Sequence, residues 1–148
     1  MEGARPAAPA DLAVLRDLAR AAVAELAAQR GGPELLAETG DPVGRLEAAL
    51  SDPDSHLVAG TVDAVPVGVA LARASGEVGR VELAYVDPEA RGVGVGAAML
   101  DELRRWLAGR GCRSLDAVAL PGNRAAKQFF EGAGMVARLI VMRAAVDG

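Results

Sequence analysis

Three glycines stand where a predicted helix begins, in the stretch DPEARGVGVGAAML, which runs from Asp87 to Leu100. Gly92, Gly94 and Gly96 alternate with two valines, and an Ala/Met/Leu-rich segment follows them. Each glycine costs backbone entropy on folding, so this density indicates that something approaches the main chain closely. Bare N–H groups at the positive end of a helix dipole form a nest for an anion. The stretch therefore predicts a phosphate or pyrophosphate site built from main-chain donors.

Other glycine-rich motifs fit this stretch less well. A P-loop ends in Gly-Lys-Ser/Thr, whereas Gly96 is followed by Ala97 and Ala98. The dinucleotide fingerprint G-x-G-x-x-A matches Gly92, Gly94 and Ala97, but its first glycine should close the strand directly, and DPEA intervenes. A glycine-rich helix cap without a ligand is the plain alternative, although glycine favours the C-terminal end of a helix.

The elements that must position this stretch are predicted from hydrophobic periodicity and turn residues. In order, they are a loose polar lead (1–8), helices at 9–28 and 42–50, strands at 56–62, 67–73 and 80–86, a helix at 95–108, a strand at 114–120, a short helix within 121–134 and a strand at 137–144. An antiparallel meander followed by a strand–helix–strand crossover predicts a mixed sheet with helices packed on its faces. The expected core stripe of the helix at 95–108 is Met99, Leu100, Leu103 and Leu107.

Length, charge and cysteine content limit the classes of protein to consider. The 148 residues fit one domain over 1–148, with no linker or repeat. A net charge of −4 and the lack of a Lys/Arg block argue against nucleic-acid and membrane partners. The single cysteine, Cys112, excludes an internal disulfide and fits a reducing compartment. With no signal-peptide pattern at the start and no bilayer-length apolar run, a cytoplasmic protein is expected.

The glycine stretch also carries a family resemblance. The segment V-D-P-E-A-R-G-V-G-V-G resembles the R/Q-x-x-G-x-G/A acetyl-CoA signature of the GNAT acetyltransferases, with Arg91, Gly94 and Gly96 at the matching positions. Upstream, EAALSDPDSHLVAGTVDAVPVGVAL is similar to the family's second helix and the hairpin that follows it. The resemblance covers about residues 5–145, in the family's order of elements.

A second family element follows downstream. PGNRAAKQFFEGAGM resembles N-x-x-A-x-x-F-Y-x-x-x-G-F. The chain departs from this element at Phe130, where many members have a tyrosine that serves as an acid, and at Met135, where the family usually has phenylalanine. A phenyl ring cannot donate a proton. The matching positions are Asn123, Ala126, Phe129 and Gly134.

The resemblance implies the GNAT fold, a mixed α/β (α+β) fold. Its twisted sheet is mostly antiparallel, its fourth and fifth strands run parallel and splay apart, and about four helices flank it. A short strand before the first helix belongs to the family fold, in contrast to the loose lead that local periodicity predicts for residues 1–8.

The resemblance also implies a reaction, the transfer of an acetyl group from acetyl-CoA to a primary amine by direct attack, with no metal. The amine must lose a proton before it attacks, and Glu82 is the expected base. A salt-bridged strand carboxylate is the equally weighted alternative for Glu82. The main-chain N–H of Val86 is expected to stabilise the oxyanion. Strand alternation predicts Glu82 and Val86 on one face and Tyr85 on the other.

The acetyl-CoA site implied by the resemblance draws on the glycine stretch and the short helix downstream. Arg91 is expected to add charge or to pin the loop. The structural alternative for Asn123 is a helix cap, and the alternative for Lys127 is a position on an exposed helix face. The expected contacts are Val86, Arg91, Gly92, Val93, Gly94, Val95, Gly96, Ala97, Asn123, Lys127 and Phe130.

The acceptor and the role of Phe130 leave the function open in part. The acceptor is expected to be a small-molecule or peptide amine, but the sequence does not identify it. The sequence also leaves open whether the chain forms a homodimer. Because Phe130 replaces the family's acid, the alternative function is a coenzyme A-binding sensor or regulatory module without turnover. A domain that has kept only the fold is a third hypothesis.

Overall fold

A computed structural model describes residues 1–147. No helix within these residues combines the length and the apolar character needed to cross a bilayer.

The strands are β1 (Glu2–Pro6), β2 (Ser55–Val62), β3 (Val65–Ser75), β4 (Val78–Val86) and β5 (Ser114–Asp116). The α-helices are α1 (Leu12–Ala27), α2 (Gly32–Thr39), the single turn α3 (Leu46–Ala49), α4 (Val95–Gly109) and α5 (Arg124–Gly132). Short 3-10 turns lie at Pro9–Asp11, Pro42–Arg45 and Pro88–Ala90.

The five strands form one mixed sheet in chain order, β1-β2-β3-β4-β5. Neighbouring strands are antiparallel from β1 to β4, and β5 runs parallel to β4. The parallel ladder joins only Val78–Arg80 to Ser114–Asp116. Beyond it the two chains separate, so the expected parallel, splayed pair is present.

Strand β4 carries a bulge at Glu82. Leu83 stands opposite Leu71 of β3, whereas Val81 stands opposite Ala72, so Glu82 is an extra residue between two paired ones. A bulge bends its strand and shifts the alternation of side chains by one position. Because the ladder with β5 ends two residues before this bulge, the bend helps to open the gap between β4 and the chain that follows β5.

The core has two layers, one on each face of the sheet. The face against α1 and α3 is built by Leu15, Ala19, Leu46, Ala49, Leu57, Ala59, Val69, Leu71 and Leu83. The face against α4 is built by Val58, Ala70, Ala72, Val81, Val95, Met99, Leu100, Leu103 and Leu107. The predicted stripe of α4 is therefore confirmed as core.

Two expectations for the first third of the chain are wrong. Residues 2–6 form β1 rather than a loose lead, because β2 supplies an antiparallel partner from Glu2 opposite Val62 to Pro6 opposite Val58. No element was predicted between the helices at 9–28 and 42–50, yet α2 (Gly32–Thr39) lies there. Gly31, with φ of 85°, turns the chain, and a proline follows in the first turn of α2, where its missing N–H costs nothing.

Two strands predicted for the last third also differ. Strand β5 ends at Asp116 rather than at residue 120, because β4 bends away and leaves no ladder partner. Residues 137–144 form no strand, although their composition favours one. A strand needs a neighbour for its main-chain groups, and none lies beside these residues within 1–147.

Candidate active site

The glycine stretch presents a row of unused main-chain donors. Within residues 1–147, the six consecutive N–H groups from Gly92 to Ala97 have no hydrogen-bond acceptor, and the first bond into α4 runs from Ala98 N to Gly94 O at 3.0 Å. Gly94 caps the helix without a side chain, and α4 begins at Val95. These donors lie at the positive end of the α4 dipole. The arrangement suits a multiply charged anion such as a diphosphate.

Each of the three glycines has its own structural reason. Gly92 and Gly94 have φ values of 87° and 95°, in the left-handed region that favours glycine. At Gly96 a Cβ would lie 3.1 Å from Cε1 of Phe129, so its absence lets α5 pack closely on the start of α4. Beside Gly94 lies Glu2, whose Cγ would be 3.3 Å from a Cβ there. Close packing thus accounts for Gly96, and the loop turns account for Gly92 and Gly94.

Arg91 fastens the loop to two other elements. Its Nε donates to the Val86 oxygen at 2.9 Å, and its Nη2 donates to Oε2 of Glu25 on α1 at 3.1 Å. Its guanidinium carbon lies 5.2 Å from the ring centre of Tyr85. Of the two roles considered for Arg91, the one that it performs here is to pin the loop.

A cavity of about 200 Å³ opens between α1, α2, β4 and α5. Much of its wall is apolar, and four charged residues line it: Glu25, Arg45, Arg80 and Glu82. Glu82 also borders a neighbouring cavity of about 140 Å³, beside Leu71 and Arg73. The carboxylate of Glu82 thus lies on the α1 and α3 face of the sheet.

The bulge overturns the predicted arrangement of β4 side chains. Tyr85 packs against the same core layer as Leu83 and lines the same cavity as Glu82, whereas Val86 packs with the α4 layer. The prediction that Glu82 and Val86 share a face, with Tyr85 opposite, is therefore wrong. The prediction assumed that side chains alternate strictly between the two faces along β4. The extra residue at position 82 shifts that alternation by one position.

The N–H of Val86 points into the gap beside β4. Asp87 N donates to Val67 O of β3 at 2.8 Å, so this N–H faces β3. Successive N–H groups of a strand point in opposite directions, and the N–H of Val86 therefore points away from β3. That direction leads toward residues 117–120, which do not pair with β4.

Helix α5 brings three of the predicted contacts to the site region. Asn123 caps the helix by accepting from Ala126 N at 3.0 Å, and its Nδ2 donates to Oε1 of Gln29 at 3.3 Å. Phe130 lines the cavity. Lys127 is exposed and pairs with Glu131 one turn along, at 3.1 Å. The helix-cap role of Asn123 is present, and Lys127 occupies the exposed helix face that was its alternative.

A comparison with protein families adds a decisive observation. The model described as the Acetyltransferase (GNAT) family matches residues 17–135, well over half of the chain. The chain belongs to the GNAT acetyltransferase family. The resemblance drawn from the glycine stretch and from the Asn123 element is thereby confirmed, and the chain is an acetyltransferase of this family.

Solved structures show that this GNAT chain has the fold of known members. The aminoglycoside N-acetyltransferase AAC(6')-Iy, in complex with the bisubstrate analogue CoA-S-monomethyl-acetylneamine, is 21% identical with a TM-score of 0.73, over 98% of this chain and 99% of that one. A GCN5-related N-acetyltransferase from Ralstonia eutropha JMP134 is 19% identical with a TM-score of 0.72, over 100% of both chains. Ribosomal-protein-alanine N-acetyltransferase from Brucella melitensis biovar Abortus 2308 is 19% identical with a TM-score of 0.69, over 98% and 100%. The sequence has no significant match among curated proteins.

Several residues that line the cavity of this GNAT domain were missed from the sequence. Ala22 and Glu25 reach it from α1, and Gln29 reaches it from the turn that follows α1. The spacing of three residues places Ala22 and Glu25 on one helix face, a signal that was available. Arg45 also lines the cavity, and its Nη1 donates to Thr39 O at 2.6 Å, while its buried Nε has no partner among the described residues. No local pattern marks Arg45, because it is the last residue of a 3-10 turn.

The only histidine of this GNAT chain lies away from the cavity. His56 Nε2 is 2.8 Å from Oε2 of Glu102 on α4, and its ring stacks on Trp106 with centres 5.0 Å apart. Burial would raise the pKa of the Glu102 carboxyl, but hydrogen bonds from His56 and Arg105 outweigh this effect and lower it. The cluster fastens β2 to α4, consistent with a structural role. Within residues 1–147, no group of three acidic, histidine or cysteine side chains is placed to hold a metal ion.

Proposed function

We propose that this GNAT acetyltransferase transfers the acetyl group of acetyl-CoA to the primary amine of a small-molecule or peptide acceptor by direct attack. The observation that carries the proposal is the row of six unused N–H groups from Gly92 to Ala97, in a loop that Arg91 joins to Glu25 in the wall of a cavity that also contains the carboxylate of Glu82. A diphosphate satisfies such donors, and a carboxylate attracts an amine that arrives as a cation.

The residues present fit acetyl-CoA in two respects. The loop amides have no side chain to fill the space outside Gly92, where a Cβ would meet nothing within 4 Å. The gap between β4 and residues 117–120 leaves main-chain groups of β4 unpaired, so an amide-bearing arm can bind there as an added strand. Acetyl-CoA, when bound, supplies an acetyl group activated as a thioester. The residues that would hold it are Val86, Arg91, Gly92, Val93, Gly94, Val95, Gly96, Ala97, Asn123, Lys127 and Phe130.

The chain's own groups supply the proton transfers and the charge stabilisation. The Glu82 carboxylate takes a proton from the acceptor ammonium, directly or through water, so that the neutral amine attacks the acetyl carbonyl carbon. The N–H of Val86 donates to the carbonyl oxygen as negative charge develops on it. The phenol of Tyr85, on the same face as Glu82, takes the place of the missing tyrosine at Phe130. It gives its proton to the departing sulfur and regains one from the attached nitrogen, which must lose its second proton to become an amide.

Thiol release from acetyl-CoA, measured over a panel of primary amines, tests the proposal. The panel includes aminoglycosides, small metabolite amines and peptides with free N-termini, with hydrolysis in the absence of amine as the blank. Amine-dependent thiol release, with the acetylated amine identified by mass spectrometry, supports acetyl transfer. Binding of acetyl-CoA without release for any amine class contradicts it and favours the sensor that Phe130 suggests. Absence of acetyl-CoA binding removes both functions.

A further inference from the structure

Two opposite charges on β4 line the 200 Å³ cavity without pairing. Arg80 and Glu82 stand two residues apart, which is roughly 6 to 7 Å along a strand, and both belong to the cavity wall. Within residues 1–147, no ion pair joins the two side chains or links either of them to another residue. Glu25, in the same wall, is already paired with Arg91. Arg80 and Glu82 therefore offer a bound ligand one cation and one anion.

The charged neighbours of this pair are engaged elsewhere. Asp116 of β5 stands opposite Arg80 in the parallel ladder, but it accepts a hydrogen bond from Nε of Arg138 at 3.1 Å. Hydrogen bonds from Arg138 lower the pKa of the Asp116 carboxyl, and the charge of Arg80 lowers it further from a distance. Arg73, beside the neighbouring cavity, pairs with Asp52 at 2.9 Å. The guanidinium of Arg80 is thus left for a partner from outside the chain.

A second guanidinium in the cavity wall has an unused donor. Nη1 of Arg45 donates to the main-chain oxygen of Thr39, the last residue of α2, at 2.6 Å. Its Nε is buried and has no acceptor among residues 1–147. A guanidinium presents its donors in a planar fork that matches the two oxygens of a carboxylate. The wall therefore carries two guanidinium groups suited to an anion, beside one carboxylate suited to an amine.

We propose that the acceptor is a small zwitterion, an amino acid-like molecule whose amine meets Glu82 and whose carboxylate binds Arg80, with Arg45 as a second contact. The inference rests on the proposed function and narrows its acceptor class. A ligand with both charges satisfies both unpaired groups of β4 at once, whereas a polycation places further positive charges beside two guanidinium groups. The volume is below the roughly 300 Å³ at which pockets for drug-sized ligands begin, so it suits a compact molecule.

Thiol release from acetyl-CoA, measured with matched acceptor pairs, tests the acceptor class. The probes are β-alanine, γ-aminobutyrate and ε-aminocaproate, each compared with its primary amide, which keeps the shape and removes the negative charge. At least one carboxylate compound should have a kcat/KM about tenfold or more above that of its amide, the effect of one charge-assisted hydrogen bond. A nearby carboxylate raises the amine pKa and lowers the neutral fraction, so this preference opposes intrinsic reactivity.

Arg80→Gln is the decisive variant, because the Arg80 side chain joins no other element within residues 1–147. It should make the kcat/KM values of the carboxylate compound and its amide equal. Arg113→Gln, at an exposed arginine just before β5, is the matched control and should keep the preference. Equal values in the wild type would mean that Arg80 is merely solvated and would overturn the inference. A preference that survives in Arg80→Gln, or an aminoglycoside with a higher kcat/KM than every carboxylate compound, would overturn it as well.

A binding measurement separates failure of this inference from failure of the proposed function. Loss of thiol release with every amine would reject acetyl transfer. The NMR signals of the arginine Nε–H groups would then decide whether the cavity binds a zwitterion. In the wild type, γ-aminobutyrate at millimolar concentration should shift the signal that is missing in Arg80→Gln, and its amide should not. No shift with either compound, or the same shift with both, would overturn the inference.

Discussion

Arg91 and Val86 are joined by a hydrogen bond of 2.9 Å, from the guanidinium Nε to the main-chain oxygen. The bond fixes the start of the glycine loop to the end of β4, and the second bond of Arg91 fixes it to Glu25 of α1. Arg91 therefore supports two parts of the site: the row of N–H donors in the loop, and the N–H of Val86 at the end of β4.

Arg91→Ala should weaken acetyl-CoA binding by about tenfold, because the loop must then pay an ordering cost when the ligand binds. Calorimetric titration measures the change in Kd. Arg113→Ala is the matched control, since it removes the same charge from an exposed arginine whose nearest acid, Glu77, is 4.0 Å away. Equal Kd values for the Arg91 variant and the wild type would show that the loop needs no such support.

Glu82→Gln should lower the rate of acetyl transfer about 100-fold or more near neutral pH, where the acceptor amine is protonated and needs a base. The deficit should shrink as pH approaches the amine pKa of about 10. Rates of thiol release as a function of pH measure this. Glu77→Gln, in the exposed turn between β3 and β4, should behave as the wild type. A deficit of the same size at every pH would reject Glu82 as the base.

Tyr85→Phe should lower kcat by about 100-fold, at the lower end of the range for general acid catalysis, and leave the Kd for acetyl-CoA unchanged. The substitution removes the only phenol of the chain and keeps its ring, which packs beneath Arg91. Adding Phe130→Tyr to this variant should restore part of the rate, because a phenol then lines the cavity from α5. A wild-type kcat in Tyr85→Phe would show that Tyr85 donates no proton.

Asp11→Asn should destabilise the fold by about 1 to 2 kcal/mol near neutral pH. Hydrogen bonds from Arg5, at 2.7 and 2.9 Å, and from Ala8 N, at 2.7 Å, lower the pKa of Asp11 from 3.8 to about 2. The expected cost is below the full equivalent of this shift, because the Arg5 side chain is 43% exposed and solvent screens the pair.

The pH dependence of this effect has a fixed sign. A carboxylate with a lowered pKa stabilises the fold fully above the unfolded value of 3.8, and the contribution disappears as pH falls toward 2. Urea unfolding of both proteins across this range measures it. Asp17→Asn, at an exposed acid paired with Arg20, is the control and should change stability by less than about 0.5 kcal/mol. A cost for Asp11→Asn that is the same at pH 2 and pH 7 would contradict the assignment.

Features that depend on one segment at a time could be predicted from the sequence. The position of the glycine loop, the core stripe of α4 and the cap at Asn123 follow from local spacing and residue type, and the structure has all three. The family and the mixed sheet also followed from motifs in the right order.

Features that depend on two segments were missed. The bulge at Glu82 arises from the register between β3 and β4, so the alternation within β4 alone put Tyr85 on the wrong face. Strand β1 exists because β2 lies beside it, and the predicted strand at 137–144 is absent because nothing within 1–147 pairs with it. In each case a ladder partner, rather than the propensity of the segment, decides the outcome.

The central claim is that the N–H groups from Gly92 to Ala97 bind the diphosphate of acetyl-CoA. Calorimetric titration with acetyl-CoA and with S-acetylpantetheine, which has the same thioester arm but no diphosphate, tests it most directly. Two or more charge-assisted hydrogen bonds should make acetyl-CoA bind about 100-fold more tightly, or better. Equal affinities for the two compounds, or no binding of acetyl-CoA at millimolar concentration, would contradict the account.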